Sequence, residues 1–260
     1  MANKNYEILV IPDVHARDFW REPVKYTLEN TDARIVFLGD FCDPYPTEFE
    51  KGFDYRKKAI EGLREIIEMK KQLPDRITLL LGNHDSYMFN EGKNICDCRT
   101  DHRNYNAIQK LFQDNKNLFQ LADEATINGC HFIFSHAGIH KGYVKFAFPD
   151  EYESIDDNNV VAYFNNAYLT EEPKVINSLG MYDNYRGWGG YDYGSIVWAD
   201  IHSWFPRQEY DGYGDYQIVG HTQLVHGSGG FIDDKIADLD SAEAFVITDE
   251  GEIKQYSKLV

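Results

Sequence analysis

A short apolar run that stops abruptly at polar, metal-competent residues recurs five times along this chain, and no other feature restricts the fold as much. Each run has the length of a strand rather than a helix. Glu7 to Pro12 leads into Asp13 and His15, Arg34 to Leu38 into Gly39, Asp40 and Asp43, and Ile77 to Leu81 into Gly82, Asn83, His84 and Asp85. His131 to Ser135 leads into His136, Ala137 and Gly138, and Tyr216 to Val219 into Gly220, His221 and Thr222. Between the second and third runs, Tyr55 to Gln72 carries Ile60, Leu63, Ile66, Ile67 and Met69 at helical spacing. Strand, helix, strand makes a βαβ unit, and in such sheets ligands gather beyond the carboxyl ends of the strands. All five polar clusters fall at that end.

Asp13 and His15 are two apart, so an extended chain points both side chains to one face. A carboxylate oxygen and an imidazole nitrogen suit a first-row divalent ion. Asp40, at the next strand end, supplies a third ligand and a second oxygen able to bridge to another ion, which Asn83, His136 and His221 complete. Two ions about 3.5 to 4 Å apart, with a bridging hydroxide as nucleophile, is the arrangement of two-metal hydrolytic sites. His84 follows a proposed ligand directly and is assigned as the general acid that protonates the leaving oxygen. Asp43 is the carboxylate that orients it.

Composition narrows the function classes. The chain has 260 residues and a net charge of −17, so a polyanion meets a repulsive field and stable nucleic-acid binding is disfavoured. Four cysteines in such a length do not make a disulfide framework, which points to a reducing, cytoplasmic setting. The apolar stretch Ile8 to Ile11 is far too short for a secretory or membrane segment. No repeat or linker divides the sequence, so residues 1–260 are expected to form one domain. Asp150 to Gly194, acidic and then rich in Gly and Tyr, is expected to be a surface excursion rimming the site. Lys235 to Leu239, Ala242 to Thr248 and Glu252 to Tyr256 read as strands that finish a second sheet.

Taken in order, DVH (Asp13 to His15), GDFCD (Gly39 to Asp43), GNHD (Gly82 to Asp85), SHAG (Ser135 to Gly138) and GHT (Gly220 to Thr222) resemble the calcineurin-like metallophosphoesterase superfamily. The phosphoprotein phosphatase branch, with its bacterial and phage serine/threonine members, is the most similar. SIVWAD (Ser195 to Asp200) and ADLDS (Ala237 to Ser241) resemble further stretches of that branch. The resemblance implies an α/β fold, a four-layer α/β/β/α sandwich of two mixed sheets flanked by helices. It also implies a dinuclear centre of Asp13, His15, Asp40, Asn83, His136 and His221. Manganese is the first choice of ion, with Fe, Zn, Ni and Co as alternatives, because such O and N ligands accept all of them.

Two departures from motif set this chain apart within the superfamily. Diesterase branches read Gly-His-x-His, whereas the last position here is Gln223, leaving Asp13, His15 and Asp40 for the first ion. The phosphatase branch reads Gly-Asp-x-x-Asp-Arg-Gly and clamps substrate phosphate with that Arg; Pro44 and Tyr45 stand there instead. Phosphate binding is therefore assigned to Asn83 and to a cation from elsewhere, with Arg186 preferred over Arg207, Arg103 and Arg17. Cys96, Cys98 and His102 lack the spacing of common zinc sites. The expected function is a metal-dependent phosphatase acting on phosphate monoesters, phosphoprotein or small phosphorylated substrate. The alternatives are a nucleotide-directed phosphodiesterase or dinucleoside polyphosphate hydrolase of the same fold, and a non-catalytic binding module. Oligomeric state is not legible.

Overall fold

The computed structural model describes residues 6–89, 99–184, 190–204 and 211–259. Its strands form two mixed sheets. The first contains β1 (Tyr6–Ile11), β2 (Arg34–Phe37), β3 (Ile77–Leu80) and β4 (Phe119–Gln120), mutually parallel in that order. The second contains β5 (Ala122–Ile127), β6 (Cys130–Ser135), β7 (Tyr216–Val219), β8 (Phe231–Ile232) and β9 (Ile236–Asp238), in the order β5-β6-β7-β9-β8.

Strand alternation sorts the apolar side chains into layers. Ile8, Val10, Val36, Leu38 and Leu80 meet Phe132, Phe134, Ile218 and Leu239 between the sheets. Their neighbours Leu9, Ile11, Ile35, Phe37, Ile77 and Leu79 face the other way, into a cluster with residues of α1 (Arg21–Asn30), α2 (Tyr55–Gln72) and α3 (Tyr105–Asp114). Both faces are covered, which is why these strands are continuous apolar runs rather than alternating ones. On β6, Ile133 points away from the inter-sheet core toward α4 (Lys141–Ala147), α5 (Val160–Leu169) and α6 (Pro173–Ser178). A last short helix, α7 (Ile201–Trp204), packs Ile201 on Val219 and Ile236.

Helix α2 occupies the span its periodicity predicts. The Asp54 side chain accepts from the Lys57 N–H at 3.0 Å and caps its start, while Lys70 and Lys71 complement the dipole at its end. Leu63, Ile66 and Ile67 are buried, whereas Ile60 and Met69 only flank the core.

Two expectations are corrected. The strands β10 (Phe245–Thr248) and β11 (Ile253–Gln255) do not extend the second sheet; β10 returns to pair antiparallel with β1, and β11 with β10, in the first. The open edge of β1 decides this, since an apolar edge strand left bare would be a site of misassociation. The region 150–194 is not only surface excursion: α5 and α6 bury Val160, Phe164, Tyr168, Val175 and Ile176. In its Gly- and Tyr-rich end, Gly190 is seated so closely against Tyr182 that a Cβ would lie 2.4 Å from the Tyr182 carbonyl oxygen, and residues 185–189 lie outside the described residues. Among the described residues, no helix is long and apolar enough to cross a membrane.

Candidate metal centre

The ends of β1, β2, β3, β6 and β7 converge where the two sheets meet, and there the five polar clusters come together. One ligand atom each of Asp13, His15 and Asp40 lies within 4.8 Å of the others. The same-face argument from an extended chain does not explain this. β1 ends at Ile11, and His15 and Ala16 turn through the left-handed region with φ of 41° and 64°. Asp40, Asp43 and His221 share that conformation, at φ of 53°, 52° and 69°. Each costs about 1–2 kcal/mol for a residue with a side chain, and such strain gathers where function requires an exact orientation.

Two glycines make room for the carboxylates. A Cβ on Gly82 would lie 2.1 Å from Asp40 Oδ1 and 2.7 Å from the Asp40 backbone nitrogen. A Cβ on Gly220 would lie 2.1 Å from Asp13 Oδ2. The Gly in GNHD and in GHT is thus a steric condition for the Asp of a different motif. Asp85 ties the loops together by accepting the N–H groups of Gly82 (2.8 Å), Asp40 (2.8 Å) and Phe41 (3.0 Å).

The second cluster surrounds Asn83. Its Oδ1 lies 2.9 Å from His136 Nε2 and 3.0 Å from His221 Nδ1, and His136 Nε2 is 3.6 Å from Asp40 Oδ2. His15 Nδ1 contacts the Cys42 carbonyl at 2.7 Å, and His136 Nδ1 the Leu38 carbonyl at 2.8 Å. A carbonyl can only accept, so both Nδ1 atoms carry a proton and donate, which turns His15 Nε2 toward Asp40 and His136 Nε2 toward Asn83 and Asp40, the orientation that metal-binding imidazoles require. Burial also holds the His15 imidazole below its usual range, against the opposing pull of Asp40. Burial pushes the Asp40 carboxyl up, but the imidazoles of His136, His84 and His15 outweigh it and hold the group well below the usual carboxylate range.

Asp13, His15, Asp40, Asn83 and His136 are each at most 2% exposed, and His221 is half-buried. Carboxylates so enclosed need a compensating cation. The nearby Arg17 guanidinium is already engaged by both oxygens of Glu48, at 2.7 and 2.8 Å. Oxygen and imidazole donors converging on one point fit a divalent metal ion.

Beside the cluster, His84 Nδ1 lies 3.2 Å from Asp43 Oδ2, and its ring stands edge-on to His15 at 5.2 Å. Tyr87 donates to the other Asp43 oxygen at 2.6 Å. The His84 N–H donates to Asp40 Oδ1 at 2.8 Å, which fixes the loop that carries the imidazole. The two flanking stretches also take part. Ile196 of SIVWAD accepts the Ala137 N–H at 2.9 Å, the Trp198 ring meets His221 edge-on at 5.2 Å, and Leu239 of ADLDS donates to the Val219 carbonyl at 2.9 Å.

Arg186, Arg207, Cys96 and Cys98 lie outside the described residues. Arg103 is exposed. His140 is buried and caps α4 by accepting the Gly142 N–H at 2.8 Å, a structural role. The residue that sequence reasoning missed is Arg99. Its Nη2 donates to His84 Nε2 at 2.8 Å, and its guanidinium carbon lies 3.4 Å from the Tyr45 ring centroid. Pro44 standing where an Arg is expected was the one available signal that a cation arrives from elsewhere.

Two sheets closing on a buried nest of carboxylates and imidazoles define a metal-dependent hydrolase framework. Residues 6–251 match the model of the calcineurin-like phosphoesterases, and the chain belongs to that family, the metal-dependent phosphoesterases. Among solved structures it is similar to a cold-active protein-tyrosine phosphatase from a psychrophilic Shewanella. The TM-score is 0.55 at 12% identity, over 98% of this chain and 82% of that one. It is also similar to a protein serine/threonine phosphatase from Saccharomyces cerevisiae, with a TM-score of 0.46 at 16% identity, over 95% of this chain and 74% of that one.

Proposed function

We propose that the chain is a phosphatase for phosphate monoesters, taking phosphorylated protein or small phosphorylated molecules and using two divalent ions, manganese foremost. Asp13, His15 and Asp40 would hold one ion, and Asp40, Asn83, His136 and His221 the other. When bound, the ions supply Lewis acidity toward the phosphoryl oxygens and an activated water for direct attack. His84 Nε2, which here accepts from Arg99 Nη2, takes up a proton once that contact is given up and delivers it to the departing alkoxide or phenoxide oxygen, while Asp43 behind Nδ1 keeps the ring in position and stabilises the imidazolium. The Asn83 side-chain amide offers its N–H group to a substrate oxygen while its Oδ1 faces the imidazoles.

The observation that carries this reading is the His84–Asp43 pair at 3.2 Å, buried directly against the ligand nest. A site that only bound phosphate would not need a leaving-group acid. Gln223 adds support for the monoester. It is exposed, where the diesterase pattern places another imidazole ligand. The test is hydrolysis of para-nitrophenyl phosphate beside bis(para-nitrophenyl) phosphate with added Mn2+ and an EDTA-treated control, followed by peptides carrying phosphoserine, phosphothreonine or phosphotyrosine. Monoester preference that EDTA abolishes is the expected result, and diester preference would overturn it.

A further inference from the structure

We infer that Arg99, held over the Tyr45 ring, is the residue that anchors the substrate phosphate and selects monoesters over diesters. The inference rests on the phosphatase reading above. Pro44 and Tyr45 leave the expected arginine out of the loop after Asp43, yet a guanidinium still stands at that place. It is supplied from 54 positions further along the sequence, the interval from Tyr45 to Arg99, and stacks on the Tyr45 ring at 3.4 Å. The Tyr45 ring in turn stands edge-on to His15 at 5.1 Å, which places the stack at the wall of the ligand nest. Burial pushes the Tyr45 phenol up to about 12, against the pull of Arg99, so the ring is a neutral aromatic platform rather than an anionic partner.

The guanidinium is not fully used. Nη2 donates to the His84 imidazole, but Nη1 is buried with no hydrogen-bond partner among the described residues. A buried donor left unpaired is unfavourable and calls for an acceptor. An incoming phosphoryl group supplies one at Nη1 and a charged replacement for the neutral imidazole at Nη2. The planar fork then makes two parallel, charge-assisted hydrogen bonds to two oxygens. That geometry favours a group with three unesterified oxygens over one with two, since two of the three meet the fork and the third is left for the metal side of the site. Among the described residues, the other arginine beside the nest is Arg17, which is bound bidentately by Glu48 and is not available for this role.

The test uses the full chain loaded with Mn2+, comparing wild type, Arg99→Ala and Arg99→Gln, with exposed Arg103→Ala as a control for lost surface charge. Binding of inorganic phosphate is measured by calorimetry, monoester and diester hydrolysis in parallel, and metal content by mass spectrometry. Both Arg99 variants are expected to keep their metal and to lose phosphate affinity about 10- to 100-fold, the loss of hydrogen bonds to a charged group. Their monoester kcat/KM should fall by a similar factor and diester kcat/KM by much less. Arg99→Gln keeps a polar stem over Tyr45, so it decides the matter if the Ala variant folds poorly. Wild-type phosphate affinity in either folded Arg99 variant, alongside an active wild type, overturns the anchor alone. A wild type that neither hydrolyses the monoester nor binds phosphate overturns the phosphatase reading as well.

Discussion

The same substitution, Gly to Ala, should act in opposite directions at two positions of this chain. At Gly62 on α2 a Cβ meets no atom within 4 Å, so Ala only removes backbone freedom from the unfolded chain and improves helix propensity. The gain is about 0.5–1 kcal/mol, or about 2 °C in Tm for a domain of this size. At Gly82 the Cβ would sit 2.1 Å from Asp40 Oδ1, 2.8 Å from Asp40 Cγ and 2.7 Å from the Asp40 backbone nitrogen. The first of these is more than about 1 Å inside van der Waals contact. Asp40 cannot simply turn its carboxylate aside, because its N–H is held by Asp85 and its Oδ1 by the His84 N–H, each at 2.8 Å. The Asp40 carboxylate must therefore move by about 1 Å, several times the ±0.2 Å that a metal ligand tolerates. Gly82→Ala should lower bound Mn2+ and cut para-nitrophenyl phosphate turnover about hundredfold. Metal analysis after Mn2+ loading, turnover and thermal melting on both variants form the assay. A Gly82→Ala protein with full metal content and wild-type turnover would refute the steric account of the GNHD glycine.

Three further outcomes are expected. His84→Asn should lower turnover about 10²- to 10⁴-fold while both ions stay bound, and full activity in that variant would remove His84 from the acid role. Asp40→Asn keeps an acceptor for the His84 N–H but removes the charge shared by the two ligand groups. It should reduce bound metal below two ions per chain by mass spectrometry and activity by at least about hundredfold. Asp238 is fully buried, its Oδ2 lacks a hydrogen-bond partner, and burial pushes its carboxyl well above the usual range. A raised folded-state value means that stability is complete below the unfolded carboxylate value of about 4 and is lost as pH rises from there toward the folded value. After metal removal, Asp238→Asn should therefore melt progressively higher than wild type as pH rises from about 4 to 7; equal melting curves across that window would count against the account.

The candidate site was legible because its residues fall where apolar runs stop, a break that survives in any single sequence. The span of α2 was legible for a similar reason: its apolar stripe faces one sheet and its other face is polar. Helix α5, VVAYFNNAYL, has no such contrast, since Val160, Val161, Phe164, Ala167 and Tyr168 bury several sides of it, and a helix apolar on many sides shows little periodicity. The sheet to which Phe245–Thr248 belongs is not encoded locally either. All four residues are buried, and the edge of β1 that they cover is formed by the far end of the sequence. Arg99 follows no apolar run and belongs to no motif; only the three-dimensional closeness of Tyr45 and His84 gives it a role.

The pairing of Val10 with Phe245 also bears on how the protein comes into being on the ribosome. β1 is made early, but it stays an unpaired edge on one side until β10 has been synthesised, after the whole second sheet. The donors follow the same schedule, since Asp13, His15, Asp40 and Asn83 emerge well before His136 and His221. Closing such distant pairs is slow compared with forming local structure. A nascent chain therefore displays carboxylates and imidazoles as separate, weak half-sites for most of its synthesis. With the proposed ligand set, tight capture of an ion would be a late event, coupled to the docking of one sheet on the other.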